Sequence, residues 1–377
     1  MIVPFLDLES AYHELEPLLR QVIGAVSASG QYLLGPETAA FEQEFAEFVG
    51  TRYCVAVGSG LDALTIALQG AGIGPQDEVL VPSNTFIATW MAVTRLGATV
   101  IPIEPNARSY NIGLASLKAA TERTRAVIPV DLYGSPCDMA SLAREASKRS
   151  LIVIEDAAQA HGAQFGSYRT GSLGHAGCWS FYPAKNLGAF GDAGAITTND
   201  AELADRAQWL RNYGSQEKHH YQYFGYNSRM SEIDAAVLRV KLRVLRDWNE
   251  RRAYAASQYR ELLNDLPILL PATTTGAKPS WHLFVVRTPQ RDALRRHLAS
   301  QGIQTQIHYP IPPHQQRLYS KRFGADAFPI ANRLADEVLS LPIGPHISRS
   351  QIIYISESMH EFFEEAGLPR GDLPISS

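Results

Sequence analysis

Residues 151–185 read LIVIEDAAQAHGAQFGSYRTGSLGHAGCWSFYPAK. The stretch begins with a short apolar run, Leu151–Ile154, that leads into two acids, the second of which is Asp156. A second short run, Gly177–Phe181, precedes Lys185. Short apolar runs of this kind are typical of strands that are buried on both faces of a parallel sheet. Because ligands in open α/β sheets bind beyond the carboxyl ends of the strands, Asp156 and Lys185 both fall where a ligand would bind.

The same alternation of strand-like and helix-like segments fills the first 240 residues. Strands are predicted over Tyr53–Val57, Glu78–Val81, Thr99–Ile103, Ala126–Val130, Leu151–Ile154, Gly177–Phe181 and Ala195–Thr198, and helices over Asp62–Gln69, Ile87–Arg95 and Met139–Lys148. Such alternation predicts βαβ units. We therefore expect an α/β protein whose large domain, residues 1–240, has a mainly parallel mixed sheet sandwiched by helices.

A smaller α/β C-terminal domain is predicted over residues 241–377. No Gly or Pro interrupts residues 231–263, which predicts one long helix linking the two domains. The remainder suggests a strand over Leu283–Arg287, a helix over Arg291–Gln301, and another strand leading into the Pro-rich segment HYPIPPHQ at 308–315.

Composition excludes several classes of function. The 377 residues carry a formal net charge of −4, which argues against a general binder of nucleic acid or membrane surfaces. Three widely separated cysteines without CxxC spacing predict neither a disulfide framework nor a metal site. The N-terminus lacks the basic and apolar segments of a signal peptide, and no apolar run reaches the ~18 residues of a membrane span. We expect a cytoplasmic protein.

Asp156 and Lys185 suggest a specific chemistry. A carboxylate at a strand end can pair with a cationic ligand nitrogen, although an aspartate there can also simply cap a helix. Lys185 lies between a strand end and the Gly-rich run NLGAFGDAGA, which is a poor position for a solvated surface charge. Burial lowers the pKa of a lysine and favours Schiff-base formation with a carbonyl compound.

The turn Gly58–Gly60 is a candidate anion site. It joins the strand CVAV to the helix DALTIALQ, where the backbone N–H groups of Leu61 and Asp62 could face an anion. The hydroxyl of Ser180 could add a further donor. Two glycines in such a turn are also common without any phosphate nearby. The full GxGxxG spacing of a nicotinamide-dependent oxidoreductase is absent, which disfavours that class of enzyme.

Taken together, these segments resemble the DegT/StrS family of sugar aminotransferases, which bind pyridoxal 5'-phosphate (PLP) and have the aspartate-aminotransferase-like PLP fold type I. The resemblance extends over nearly the whole chain, through YLLGPETAAFEQEFAEFVG (32–50), VGSGLDAL, VIPVDLYGSPCDM, EDAAQAHGA, SFYPAKNLGAFGDAGAITT, GYNSRMSEIDAA and HYPIPPHQ. The chain differs from the common pattern at Asp131, where relatives often have histidine.

The resemblance implies a catalytic and cofactor-binding role for four of these side chains. Lys185 would hold PLP as a Schiff base and also act as the catalytic acid and base. Asp156 would pair with the pyridinium nitrogen, and Gln159 would lie near the ring hydroxyl. Phe86 would stack on the face of the ring, although an aromatic residue following a strand end is also common in a hydrophobic core.

The resemblance also implies a phosphate site and a dimer. Ser180 and the turn formed by Gly60, Leu61 and Asp62 would bind the cofactor phosphate. Asn227, in the segment GYNSRM, would reach that phosphate from the neighbouring subunit. The protein would therefore be a homodimer with shared active sites.

The implied activity is transfer of an amino group from glutamate to C-3 of a dTDP-linked 3-keto-6-deoxyhexose. Lysine rather than histidine at position 185 favours a transaminase over the dehydratase relatives. Amination at C-4 of a nucleotide-linked 4-keto sugar is the alternative within the family, and a non-enzymatic regulator that retains the fold is the alternative outside it. Residues that could contact the sugar nucleotide are Tyr182, His308, Tyr309, His314 and Arg229; histidine at a strand end is equally often structural, and Arg229 could instead form an ion pair.

Overall fold

Strands and helices alternate in the first 200 residues of the computed structural model, which describes residues 1–217 and 219–367. Within these ranges the helices α1 to α11 are Leu8–Ser29, Pro36–Val49, Gly60–Gly70, Ile87–Arg95, Met139–Lys148, Ala201–Arg211, Glu232–Leu242, Leu245–Leu262, Arg291–Ser300, Pro329–Glu337 and Arg349–Glu365. The strands β1 to β14 are Tyr53–Val57, Glu78–Pro82, Thr99–Ile103, Thr124–Val127, Ile152–Asp156, Gln164–Phe165, Tyr168–Arg169, Ala176–Ser180, Gly194–Thr198, Ser215–Glu217, His220–Tyr221, Ala277–Lys278, Phe284–Arg287 and Val338–Leu341. The predicted α/β class is confirmed.

A seven-stranded sheet lies at the centre, in the order β1-β9-β8-β5-β4-β2-β3. Strands β8, β5, β4, β2 and β3 pair in parallel, whereas β9 is antiparallel to both of its neighbours. Val55 and Val57 of β1 belong to one buried cluster, and Cys54 and Ala56 to another. Because successive side chains of a strand point to opposite faces, both faces of the sheet are covered. This confirms the mainly parallel mixed sheet between helices.

The fourth strand is shorter than its sequence suggests. The apolar run predicts a strand over Ala126–Val130, but β4 ends at Val127. Pro129 has no N–H to donate to a neighbouring strand, so regular pairing cannot continue through it. Only an isolated parallel bridge between Val130 and Asp156 follows. That bridge still holds the chain after β4 beside the end of β5.

The predicted long helix over 231–263 is wrong, since the structure has two helices, α7 and α8, separated by Arg243 and Val244. Helix α7 packs against α1 and α2, whereas α8 packs mainly against α11. A single straight helix could not follow both surfaces, so the chain bends where its packing partner changes.

The C-terminal elements form a second core. Helices α8, α9 and α11 cover the antiparallel pair β13 and β14. The predicted strand before HYPIPPHQ is wrong: Ile303 and Gln306 make only isolated bridges, to Val3 and Ser340. The division into domains at residue 240 remains a proposal. None of the described helices is long and apolar enough to cross a membrane.

Gly177 lies where the sheet has no room for a side chain. An added Cβ would overlap the backbone of Gly171 and lie 2.7 Å from Thr197 Oγ1. We predict that Gly177→Ala lowers the free energy of unfolding by about 2 kcal/mol, because backbone cannot yield as a flexible side chain can. Denaturant unfolding measures this, with Gly24→Ala as control, since the space around Gly24 is open. Equal stability of the two variants would contradict the prediction.

Candidate active site

Lys185 follows β8 in a tight turn at the centre of the sheet. Its backbone N–H donates to the carbonyl of Tyr182 at 2.8 Å. The backbone N–H of Ala189 donates to the Phe181 carbonyl at 2.7 Å, and this hydrogen bond joins the two ends of the loop. The Lys185 side chain is half-buried. Burial lowers its pKa to about 8, and the charge of Asp156 opposes that shift. Lys185 is therefore a lysine that reaches its neutral, nucleophilic form close to neutral pH.

Asp156 is the last residue of β5, and its carboxylate lies within electrostatic range of the Lys185 amine. Its carboxylate accepts hydrogen bonds from Thr89 Oγ1 at 2.8 Å and from the backbone N–H of Ala158 at 3.3 Å. Burial raises the pKa of Asp156, whereas these hydrogen bonds and the charge of Lys185 lower it. No helix begins within residues 157–163, so the helix-cap interpretation does not apply. A cationic nitrogen placed against this buried carboxylate would gain a strong partner.

The loop at Lys185 is anchored by buried polar side chains that the sequence did not single out. Asn186 donates to Asn249 Oδ1 at 2.9 Å and to the Ser280 carbonyl at 2.8 Å, and its own Oδ1 contacts His282 Nδ1 at 3.0 Å. Lys241 donates to the Gly188 carbonyl at 2.6 Å. These hydrogen bonds fix the backbone of residues 186–188, which directly follow Lys185.

The side chain of Gln159 forms hydrogen bonds with two neighbouring residues. Its Oε1 accepts the backbone N–H of Tyr133 at 2.7 Å, and its Nε2 donates to the hydroxyl of Tyr309 at 3.0 Å. The ring of Tyr309 lies 5.4 Å from that of Phe86, centroid to centroid. Phe86 is 52% exposed, so it is not a core residue and its ring is free to stack on a ligand. Tyr133 was missed, because only the fold reveals its contact with Gln159.

The glycine turn and Ser180 come together as predicted. A Cβ on Gly60 would lie 2.7 Å from the Ser180 Cβ, so the start of α3 abuts that serine. Ser59 caps α3 and accepts the backbone N–H of Asp62 at 3.1 Å. The predicted Asp62 donor is therefore engaged within the chain. The N–H groups of Gly60 and Leu61 are in the first helical turn, where no carbonyl of the helix can reach them.

The carboxylate of Asp62 is neutralised by its own neighbours. Arg95 Nη1 lies 3.1 Å from its Oδ1, and the hydroxyl of Ser228 donates to its Oδ2 at 2.8 Å. Ser228 also accepts the backbone N–H of Gly58 at 2.9 Å. An anion at this helix start therefore meets less repulsion than the sequence alone suggests.

Three of the predicted substrate residues, Tyr182, His308 and Tyr309, lie near the residues that are predicted to bind the cofactor. Tyr182 is exposed next to Lys185, and its backbone N–H donates to Ser180 Oγ at 3.4 Å. His308 contacts Ser340 Oγ through Nδ1 at 2.8 Å, and burial lowers its pKa to about 4. His308 is thus a neutral imidazole. Tyr309 contacts Gln159 and Phe86, which places it beside the cofactor residues.

His314 and Arg229 occupy other surroundings. His314 is fully buried, contacts the Ala325 carbonyl through Nε2 at 3.2 Å and packs on the ring of Phe328, and no described contact joins it to Lys185. Arg229 donates to Asn212 Oδ1 at 3.2 Å and to Asn227. Among the described residues it forms no ion pair with a carboxylate. Asn227 is itself exposed, on the outside of this cluster.

A nucleophilic lysine near a buried aspartate, with an exposed aromatic ring and a helix start close by, is a set of groups that suits PLP. Residues 15–360 match the DegT/DnrJ/EryC1/StrS aminotransferase family, and the chain belongs to that family. The family is PLP-dependent, with PLP fold type I. Here Lys185 would hold the cofactor, Asp156 would face its ring nitrogen, and Gly60 and Ser180 would lie at its phosphate.

Close relatives match almost the full length of the chain. The dTDP-3-amino-3,4,6-trideoxy-alpha-D-glucose transaminase of Streptomyces venezuelae is 49% identical over 365 residues, which is 96% of each chain. The erythromycin biosynthesis sensory transduction protein EryC1 of Saccharopolyspora erythraea is 51% identical over 93% of this chain and 96% of its own. The crystal structure of S. venezuelae DesV with a ketimine intermediate superposes with a TM-score of 0.95, at 48% identity, and covers 96% of this chain and 99% of DesV.

The lowered pKa of Lys185 predicts how PLP loading depends on pH. Only the neutral amine attacks the PLP carbonyl, so the loading rate should rise about tenfold per pH unit below pH 8 and level off above it. Stopped-flow absorbance with apoenzyme and free PLP measures this profile. A rate that keeps rising to pH 10, as for an ordinary lysine, would show that burial does not lower the pKa.

Proposed function

We propose that the protein is a transaminase that moves an amino group from glutamate to C-3 of a dTDP-linked 3-keto-6-deoxyhexose. The observation that carries the proposal is that Lys185 lies within electrostatic range of the buried Asp156, in a chain that is 49% identical to a dTDP-3-amino-3,4,6-trideoxy-alpha-D-glucose transaminase. The same relative supports amination at C-3 rather than C-4. Glutamate is proposed because it is the usual donor in enzymes of this kind.

The residues of the site divide the work of such a reaction. Bound PLP supplies an electron sink for the carbanion that forms when a proton leaves the donor Cα. Asp156 would accept a hydrogen bond from the ring nitrogen of bound PLP and keep that nitrogen protonated. Lys185 Nζ, with a pKa of about 8, can both take and return a proton near neutral pH. Phe86 would stack on one face of the ring.

Neutral polar groups line the side where a sugar would approach. His308 is uncharged, and the hydroxyl of Tyr309 is held by Gln159. Burial raises the pKa of Tyr309, so its hydroxyl keeps its proton. Uncharged donors and acceptors suit the hydroxyl groups of a hexose, whereas a cationic group would favour an amino-acid carboxylate or a phosphate. Arg229, without a carboxylate partner among the described residues, is our choice for contact with the diphosphate.

We further propose a cytoplasmic homodimer in which Asn227 completes the phosphate site of the neighbouring subunit. Asn227 is exposed, and its described contacts, with Asn212 and Arg229, leave it outside its own chain's cofactor cluster. Its surroundings include the exposed aromatic residues Tyr213 and Tyr223, which are typical of an interface. Three free, buried cysteines suit a reducing compartment.

The reaction is tested by product analysis. Purified enzyme, PLP and glutamate are incubated with 3-keto and with 4-keto 6-deoxyhexoses linked to dTDP, and the products are identified by mass spectrometry and NMR. We expect a 3-amino sugar, no product with Lys185→Ala, and full activity with Lys278→Ala, since Lys278 is an exposed lysine far from the site in sequence. A 4-amino product would establish the alternative regiochemistry. Absence of any amino sugar would favour a regulatory role.

Sharing of the active sites is tested by mixing two inactive variants. Asn227→Asp places a carboxylate against the proposed phosphate, and Lys185→Ala removes the catalytic amine. If the two residues of one site come from different subunits, each mixed dimer has one intact site, and refolding together restores up to about a quarter of the wild-type activity. If Asn227 acts within its own chain, no activity returns.

A further inference from the structure

Asp131 and Glu155 form a pair of fully buried acids beneath the end of β5. Asp131 donates its backbone N–H to the carbonyl of Asp156 at 3.1 Å. Glu155 precedes Asp156 in β5, and side chains alternate along a strand, so Glu155 lies on the face opposite the cofactor carboxylate. The carboxyl groups of Asp131 and Glu155 lie within hydrogen-bonding reach of each other, but a hydrogen bond can form between them only if one acid is protonated. The candidate cofactor site and the acid pair thus lie on opposite faces of the sheet at the same end of β5.

The pair is short of hydrogen-bond donors. Asp131 Oδ1 accepts the backbone N–H of Cys137 at 2.8 Å. Asp131 Oδ2 and both carboxylate oxygens of Glu155 are buried without a well-aligned hydrogen-bond donor among the described residues, although the backbone N–H groups of Gly171, Leu173 and Gly174 lie close to Glu155. Ionised carboxylates only accept hydrogen bonds, so contact between two of them is stabilising only if one acid keeps its proton.

The surroundings favour the neutral form of one acid. The titratable groups that face the pair are Asp156, Cys137 and Cys178, and burial raises the pKa of both thiols. None of these groups is a cation, and within the described ranges neither Asp131 nor Glu155 forms an ion pair. Two adjacent buried carboxylates without a cation cannot both ionise at neutral pH.

The proton belongs on Asp131. Burial and the neighbouring Glu155 raise the pKa of Asp131 well above its usual value. Burial also raises the pKa of Glu155, but the hydrogen bond from Asp131 and the backbone N–H groups of Gly171, Leu173 and Gly174 oppose this. Asp131 is therefore the carboxylic acid that donates, and Glu155 is the carboxylate that accepts.

Asp131 also begins the turn that contacts the cofactor-binding glutamine. The Gly134 N–H donates to the Asp131 carbonyl at 3.2 Å, and Tyr133, at the middle of this turn, has φ 61°. A left-handed conformation is unfavourable for a tyrosine and persists only if the surroundings hold it. From this position Tyr133 donates its N–H to Gln159 Oε1 at 2.7 Å.

We propose that Asp131 and Glu155 share one proton as a hydrogen-bonded acid pair, and that the pair positions the Tyr133 turn so that Gln159 is held at the cofactor. Asp131 and Glu155 are positioning residues, because they touch neither cofactor nor substrate. The positioning role rests on the cofactor site proposed for Gln159. The contact between Asp131 and Glu155 would replace the contact that a histidine makes at position 131 in relatives.

The proton is tested by difference infrared spectroscopy of the PLP-loaded enzyme at pH 8, where ordinary carboxyl groups are ionised. We expect a C=O band of a protonated acid in the wild-type protein that is lost in Asp131→Asn. Glu78→Gln is the matched control: Glu78 is buried too, but hydrogen bonds from Thr121 and Arg123 lower its pKa, so this variant should keep the band. A wild-type spectrum without the band, or a band that survives in Asp131→Asn, would overturn the shared proton.

Thermal unfolding gives a second readout. A carboxyl whose pKa is raised on folding stabilises the folded state less as pH rises from its unfolded pKa, about 3.9, towards its folded value. Asparagine donates to Glu155 without titrating. The Tm of Asp131→Asn minus the Tm of the wild type should therefore be larger at pH 8 than at pH 5, by at least about 2 °C. A constant or shrinking difference would contradict the proposal.

The positioning role is tested by PLP affinity in the absence of substrate. Asp131→Asn keeps a donor for Glu155 and an acceptor for Cys137, and it should bind PLP within about twofold of the wild type. Asp131→Leu keeps the number and branching of the heavy atoms but leaves buried polar groups unpaired, and should weaken PLP binding about tenfold. Equal affinity in the two variants would overturn the positioning role. If Asp131→Leu does not fold, affinity is compared between Asp131→Asn and the wild type, and a loss beyond tenfold in Asp131→Asn overturns it. No keto sugar is used, so failure here leaves the proposed reaction untouched.

Discussion

The parallel pairing of β5 with β8 is the constraint on which the site depends. It sets Asp156 opposite Cys178, and the Ala157 N–H donates to the Cys178 carbonyl at 2.9 Å. The chain after β8 then turns back and brings Lys185 within electrostatic reach of Asp156. Burial disfavours the charged form of each group and lowers the pKa of Lys185 to about 8, whereas the charge of Asp156 partly opposes this shift. PLP chemistry needs such an amine and such a carboxylate on one sheet edge.

Much of the remaining polar structure keeps this arrangement in place. The Asn186, Asn249 and His282 network holds the loop after Lys185, and Lys241 holds the carbonyl of Gly188. Buried polar groups are costly unless they are satisfied, so a satisfied network permits one loop conformation rather than several. Asp62 follows the same logic, since its carboxylate is neutralised by Arg95 and does not oppose an anion at the start of α3.

Sequence reasoning succeeded where the signal is local. The positions of the seven central strands in the chain, the Gly58–Gly60 turn and helix α4 are marked by contiguous residues, and α4 has the predicted bounds. It failed where a distant partner decides. The run 231–263 has no helix breaker, yet it bends where α7 and α8 meet different helices. His314 has the residue type of a binding group but lies buried against Phe328.

The sequence by itself determined the α/β class and singled out Lys185 and Asp156 as candidate site residues, because strand periodicity and strand ends are marked by neighbouring residues. Only the tertiary structure decided which residues surround them. Thr89 reaches Asp156 across 67 residues of sequence, and Tyr309 reaches Gln159 across 150. Such contacts depend on how layers stack and where loops return, which no local pattern encodes. The same holds for Asp131 and Glu155, two acids whose shared burial becomes apparent only when β4 and β5 lie side by side.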